Sequence, residues 1–213
     1  MIFASLAPLR FLLGIFCVSA VYSHANRIHG IFMKLVILDR DGVINEDSDD
    51  YIKSPGEWHP VPGSLAAIAR LHRAGWRVVV ATNQSGVGRG LFDLDTLMRI
   101  HEKMCRTVRD AGGQIDAVFF CPHAPQDHCR CRKPQPGLLI DIAERLRIEL
   151  TGVPLIGDSL RDLQAARTAG ARPLLVKTGK GAATLQHPGL DPDVPVFRDL
   201  AGAVDALLTP DAG

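Results

Sequence analysis

The sequence is poor in several things that would have pointed elsewhere. Aromatic residues make up only 6% of its 213 residues, with Trp and Tyr at two each. That leaves few flat surfaces on which nucleic-acid bases could stack. No sign of charge dominates: 24 Lys and Arg stand against 23 Asp and Glu, a net +1. A broad phosphate-backbone or membrane-surface footprint is therefore not expected. Internal repeats and low-complexity tracts are absent. Cysteines number five, and three of them, Cys121, Cys129 and Cys131, crowd into one short stretch. A disulfide framework would spread them across the chain, whereas a local metal site would gather them.

What is present reads as one globular unit. Hydrophobic residues reach 46% and charged residues 22%, enough for a single α/β domain with a full core. Residues 1–32 are set apart. Arg10 precedes an apolar run from Phe11 to Tyr22, and Ser23-His24-Ala25 could pass for a cleavage site. The run is short for a membrane span. Met33-Lys34 leads straight into the first strand, so the expectation is a misassigned start or a targeting segment at 1–32, and a domain over 33–213.

From Lys34 onward, buried strands alternate with amphipathic helices. Leu35 to Leu38 is a continuous apolar run, as expected of a parallel strand covered on both faces. Further strands are expected at Arg77–Ala81, Ala117–Phe120, Val153–Ile156 and Leu174–Val176. Helices are expected from Ser64 to Gly75, over Leu94–Asp110, around Leu138–Leu146 and over Arg161–Ala169. A short strand and a helix close the chain between Val196 and Leu208. His101 and Cys105 fall on the apolar face of the long helix and read as core residues. Helical crossovers force parallel pairing, and such sheets bind ligands beyond the carboxyl ends of their strands.

Candidate chemistry sits at those ends. Asp39 and Asp41, two apart on extended chain, can face one pocket. Thr82 and Asn83 end the second strand and can donate to phosphate oxygens. Lys133 follows a loop, and Asp158 after Gly157 offers oxygen to a hard cation such as Mg²⁺. Cys121, His123, Cys129 and Cys131 form a donor set suited to tetrahedral zinc. Four protein ligands would leave no open position, so this zinc would be structural and would pin the loop delivering Arg132 and Lys133. His128 reads as a solvated neighbour.

Asp39-Arg40-Asp41-Gly42, Thr82-Asn83-Gln84-Ser85-Gly86, Arg132-Lys133-Pro134 and Gly157-Asp158 together resemble the four motifs of haloacid dehalogenase (HAD) phosphatases, over about Lys34 to Phe197. The resemblance implies a Rossmann-like three-layer α/β sandwich with a central parallel sheet, no large cap domain and a small zinc-binding loop in its place. It implies Asp39 as nucleophile, Asp41 as acid and base with a raised pKa in the bound complex, and Thr82 and Lys133 as phosphoryl holders. The magnesium ligands it implies are Asp39, Asp41 through its carbonyl, and Asp158. Asp47, Ser48, Asp49 and Asp50 align with a sugar-contacting loop, and Thr82, Asn83, Gln84, Ser85, Arg132, Lys133 and Ser159 complete the substrate surface. Arg132 is a partner for a second phosphate.

Within that superfamily the zinc loop resembles phosphatases of small metabolites, acting on a sugar bisphosphate or on histidinol phosphate. Ser85, Pro136-Gly137 and Val176 to Lys180 resemble the sugar-bisphosphate side. The expected partner is a small phosphorylated sugar, with no nucleic acid and no membrane. The expected setting is a monomer in the cytoplasm, since an oxidising compartment suits clustered thiolates poorly. A zinc-stabilised nucleic-acid module or polynucleotide-end phosphatase would need a basic groove, which the charge balance opposes.

Overall fold

A computed structural model describes residues 34–209; the expected extension over 1–32 lies outside them. The strands are β1 (Leu35–Leu38), β2 (Arg77–Asn83), β3 (Ala117–Cys121), β4 (Pro154–Gly157), β5 (Arg172–Val176) and β6 (Val196–Phe197). The helices are α1 (Ser64–Arg73), α2 (Ser85–Gly88), α3 (Leu94–Asp110), α4 (Gly137–Leu146), α5 (Leu160–Thr168), α6 (Gly181–Leu185) and α7 (Leu200–Leu208). The expected elements are present with their ends moved by up to two residues, as strand β2 shows by running on through Thr82 and Asn83. The short helices α2 and α6 carry too few residues to show a periodicity, and the sequence pattern does not predict them.

All six strands are parallel, in the order β3-β2-β1-β4-β5-β6. The order reverses between β1 and β4, where crossover connections leave in opposite directions and a crevice opens at the carboxyl edge. Strand alternation builds a core on each face. Val36, Leu38, Val78 and Val80 pack with Ile68, Leu71, Ile100, Met104 and Val204 of α1, α3 and α7. Leu35, Ile37, Val79 and Ala81 pack on the other side with Leu138, Ile142, Ala165 and Ala166 of α4 and α5. His101 and Cys105 are buried in the first layer, as their helical spacing predicts.

Side chains at helix starts fix where the connections turn. Asp93 accepts the Thr96 amide at 2.8 Å and starts α3, and Asp199 accepts the Gly202 amide at 2.9 Å and starts α7. Each cap satisfies an amide that the helix itself leaves unpaired. Among the described residues no helix is long and apolar enough to cross a membrane.

Candidate active site

A cavity of about 180 Å³ opens at the reversal of strand order. Asp39 and Asp41 follow β1, Thr82 and Asn83 end β2, Lys133 precedes α4, and Asp158 and Ser159 lie between β4 and α5; all line it. Asp47, Ser48, Asp49, Gln84, Ser85 and Arg132 also line it. Asp50 does not: it is exposed beyond the cavity rim, its amide donating to Ser48 Oγ at 3.2 Å. Its carboxylate therefore leaves the substrate surface expected of this loop.

Lys133 is the buried cation of the site. Its Nζ lies 3.0 Å from Asp39 Oδ1 and 2.5 Å from Asp162 Oδ1, and donates to the Ala81 carbonyl at 2.7 Å. The ammonium is thus surrounded by two carboxylates and one carbonyl. Burial lowers its proton affinity, but Asp162 and Asp39 outweigh that and raise its pKa to about 12. Asn83 docks this residue by its backbone: its amide Nδ2 donates to the Lys133 carbonyl at 3.0 Å and its Oδ1 accepts the Lys133 amide at 3.1 Å. Asn83 thus clamps the lysine segment, where the sequence suggested a donor to phosphate.

Carboxylates are in excess here. Oxygens of Asp39, Asp158 and Asp162 lie within 4.8 Å of one another. Burial, then repulsion from Asp162, raises Asp39 to about 7; burial, then repulsion from Asp39, raises Asp158 to about 8. One ammonium does not balance three carboxylates, and oxygen donors short of positive charge fit a hard divalent cation. Asp158 is gripped from both sides. Its Oδ2 accepts the Lys180 amide at 2.7 Å. A Cβ at Gly42 would come within 2.1 Å of that oxygen and one at Gly179 within 2.2 Å, and both glycines have positive φ. Only glycine fits at these two positions.

Asp41 behaves otherwise. Arg40, 1% exposed, contacts it through Nη2 at 2.8 Å and Nε at 3.0 Å. Asn45 Nδ2 donates to it at 2.9 Å and Gln84 Nε2 at 2.8 Å. Burial pushes the Asp41 pKa up, but Arg40 and these hydrogen bonds outweigh it, and the group titrates below the usual carboxylate range. The raised pKa expected of an acid is not a property of this substrate-free site; the buried guanidinium is the reason. Arg40 Nη1 also meets His101 Nε2 at 3.3 Å. Arginine only donates, so Nε2 accepts and the imidazole is neutral. Burial, then Arg40, depresses its pKa to about 3.

Asp162 and Arg161 line the cavity without being singled out by the sequence motifs, and Lys180 figures there only as the end of the Val176 to Lys180 run. Asp162 has a signal, because Ser159 followed three residues later by an acid at a helix start is a capping pattern. The Ser159 hydroxyl and amide donate to Asp162 Oδ2 at 2.5 and 3.0 Å. Ser159 thereby orients Asp162 and its hydroxyl is taken up there. Lys180 binds Asp47 at 3.0 Å and reaches Asp49 at 3.8 Å, tying the acidic loop to the opposite wall.

The Cys/His loop forms a second cluster beside the first. Cys121 Sγ lies 3.5 Å from Cys129 and 3.3 Å from Cys131, and Cys129 and Cys131 are 3.5 Å apart. His123 Nδ1 lies 3.6 Å from Cys121 and 3.3 Å from Cys131. Ligands about 2.3 Å from a tetrahedral zinc stand about 3.8 Å apart, so one zinc fits among these four with small adjustment. The hydrogen bond from Cys121 pulls the Cys131 thiol down to about 5, and the same bond pushes Cys121 up. Four soft donors held this close suit one tetrahedral cation. His128 is exposed, as expected.

A parallel sheet with paired aspartates after β1, a buried lysine before α4 and further aspartates after β4 defines a HAD-like hydrolase. The HAD-hydrolase-like family model matches residues 130–203, and the polynucleotide kinase 3 phosphatase family model matches residues 34–160. The D-glycero-beta-D-manno-heptose-1,7-bisphosphate 7-phosphatase of Bordetella bronchiseptica is 58% identical over 83% of this chain and 98% of its own length. The protein of the same name from Pseudomonas aeruginosa is 52% identical over 82% of this chain and 97% of its own. The B. bronchiseptica D,D-heptose 1,7-bisphosphate phosphatase, crystallised with magnesium and phosphate, superposes with a TM-score of 0.81 over 83% of this chain and 98% of that one. Its Burkholderia thailandensis counterpart, 49% identical, gives 0.67 over 83% and 99%. The chain belongs to the D-glycero-β-D-manno-heptose-1,7-bisphosphate 7-phosphatase family of HAD phosphatases.

Proposed function

We propose that this chain hydrolyses the 7-phosphate of D-glycero-β-D-manno-heptose 1,7-bisphosphate, as a cytoplasmic monomer, in the synthesis of surface-glycan precursors. The observation that carries the substrate is 58% identity across 98% of a relative bearing that name.

Asp39 attacks phosphorus, and the bond from phosphorus to the sugar oxygen breaks. Asp41 gives that oxygen its proton. Water then attacks the phosphoaspartate, and Asp41 takes the water's proton as phosphate leaves. Splitting the displacement in this way replaces one hard step by two easier ones. Arg40 holds Asp41 ionised before substrate arrives; an incoming phosphate dianion opposes that charge and raises its pKa, so that Asp41 takes up a proton from water on binding and has it to give to the sugar oxygen. Lys133 and Thr82 face the transferring group, and Lys133 offsets its negative charge. Mg²⁺, held by Asp39, Asp158 and the Asp41 carbonyl, would supply further positive charge to the phosphoryl oxygens. Zinc on Cys121, His123, Cys129 and Cys131 would fix the loop that ends in Arg132 and Lys133.

The match to the polynucleotide 3-phosphatase model favours a second reading, a nucleic-acid end phosphatase. Against it, the cavity rim carries Asp47 and Asp49 and a single aromatic, Tyr51, a poor surface for a phosphate backbone and stacked bases. Phosphate release with Mg²⁺ from the heptose bisphosphate, histidinol phosphate and a 3′-phosphorylated oligonucleotide separates the readings. Preference for the heptose is expected. Faster release from either competitor overturns the proposal.

A further inference from the structure

The catalytic cavity has a neighbour. A second cavity, of about 580 Å³, lies against the Cys/His loop between Pro125, Arg130, Pro134 and Gln135. Arg132, Lys133 and Arg161 line both cavities and so form the partition between them. Lys133 is engaged with carboxylates and the Ala81 carbonyl. The two arginines are not: among the described residues neither has a carboxylate at ion-pair distance, and the Arg132 guanidinium donates only to the His123 carbonyl, at 3.3 Å.

Arg161 stands out further. It is the second residue of α5, where the helix dipole already presents positive charge and a cation is disfavoured. It also lies close to two cations: after burial, Arg161 is the main influence lowering the Arg132 pKa, and it opposes the charge of Lys180 as well. Three like charges at one rim, one at an unfavourable helix position, are a local conflict of the kind that marks a functional site. Lys180 is relieved by Asp47. Arg132 and Arg161 have no such relief, and a planar guanidinium pair is suited to fork-shaped hydrogen bonds with a phosphate dianion.

We propose that Arg161 is a further contact for the phosphoryl group that is not hydrolysed, joining Arg132 at the partition between the two cavities. This rests on the bisphosphate reading above. The reacting phosphate sits over Asp39, the sugar spans the rim, and the distal phosphate neutralises the arginine pair. Arg161 is thus a specificity residue, acting on which substrate is retained.

The test is the ratio of kcat/KM for heptose 1,7-bisphosphate to that for heptose 7-phosphate, measured on wild type, Arg161→Ala and Arg161→Lys. Arg161 is exposed at a helix start, so neither substitution touches the core. The expected result is a ratio at least about 10-fold lower in Arg161→Ala, carried by KM for the bisphosphate, with partial recovery in Arg161→Lys. An unchanged ratio, or a loss equal for both substrates, overturns the role of Arg161 while leaving the substrate reading intact. A wild type that does not prefer the bisphosphate overturns that reading and this inference with it.

Discussion

The two candidate metal clusters lie side by side yet are built in opposite ways. The Cys/His cluster takes its donors from residues 121–131, the end of β3 and the loop that follows it. The acidic cluster gathers Asp39, Asp158 and Asp162 from the ends of β1 and β4 and the first turn of α5. The first needs only a short loop to close. The second needs the sheet, because nothing but strand pairing brings Asp39 and Asp158 together: β1 pairs with β4 at Leu38 and Ile156. Lys133 joins the clusters, two residues after Cys131 in the chain and in ion pairs with Asp39 and Asp162. The difference teaches a division of labour in which a local site aims a group into a long-range one.

The largest effect should come from the acidic cluster. Asp39→Asn removes the nucleophile and should lower turnover by at least about 10³-fold, with circular dichroism unchanged; retained turnover would remove Asp39 from its role. Next comes the loop. Cys131→Ser should abolish bound zinc, measured as metal content per chain, lower the melting temperature and reduce turnover by about 10-fold or more through misplacement of Lys133. Full activity without zinc would show that the loop aims nothing.

A steric change should separate fold from site. Gly42→Ala places a methyl group 2.1 Å from Asp158 Oδ2 at a φ of +78°. Denaturant unfolding should show a loss of about 2 kcal/mol or more, and magnesium affinity should fall, while zinc content stays at the wild-type value. Loss of both metals together would mean that the clusters are not independent.

The smallest effect is a pH dependence. With Asp39 raised to about 7 and Asp158 to about 8, these two carboxyls hold more protons in the folded metal-free protein than in the unfolded chain from about pH 4 to 8, while His101, depressed to about 3, holds fewer below its usual pKa. The carboxylate cluster therefore loses stability as pH rises through that window. Magnesium requires the ionised forms. The gain in melting temperature on adding Mg²⁺ should grow from pH 5 to pH 8, by a few degrees, and Asp158→Asn should flatten that trend.

Much of the fold and of the site is legible in the order of the residues. Leu35–Leu38 is apolar at every position because the strand is covered on both faces, so Asp39 announces the end of a buried strand. The Cys/His set is legible because its members are neighbours in sequence. Asp50 is not, since alignment with a loop does not say which side of it faces the cavity. The amide of Asn83 reads as a phosphate donor because its true hydrogen-bond partner, the backbone of Lys133, is 50 residues away.

The sequence by itself therefore determined the strand and helix pattern, the paired aspartates, the buried lysine's motif and the thiolate loop, all of which depend on spacing over a few residues. Only the tertiary structure decided that Asp162 and Asp39 share one ammonium, that Arg40 holds Asp41 charged against a neutral His101, and that Arg132 and Arg161 meet at one partition. The physical reason is that charge and burial act through space: a carboxylate's pKa and an arginine's partner depend on which distant segments the sheet brings within a few ångströms.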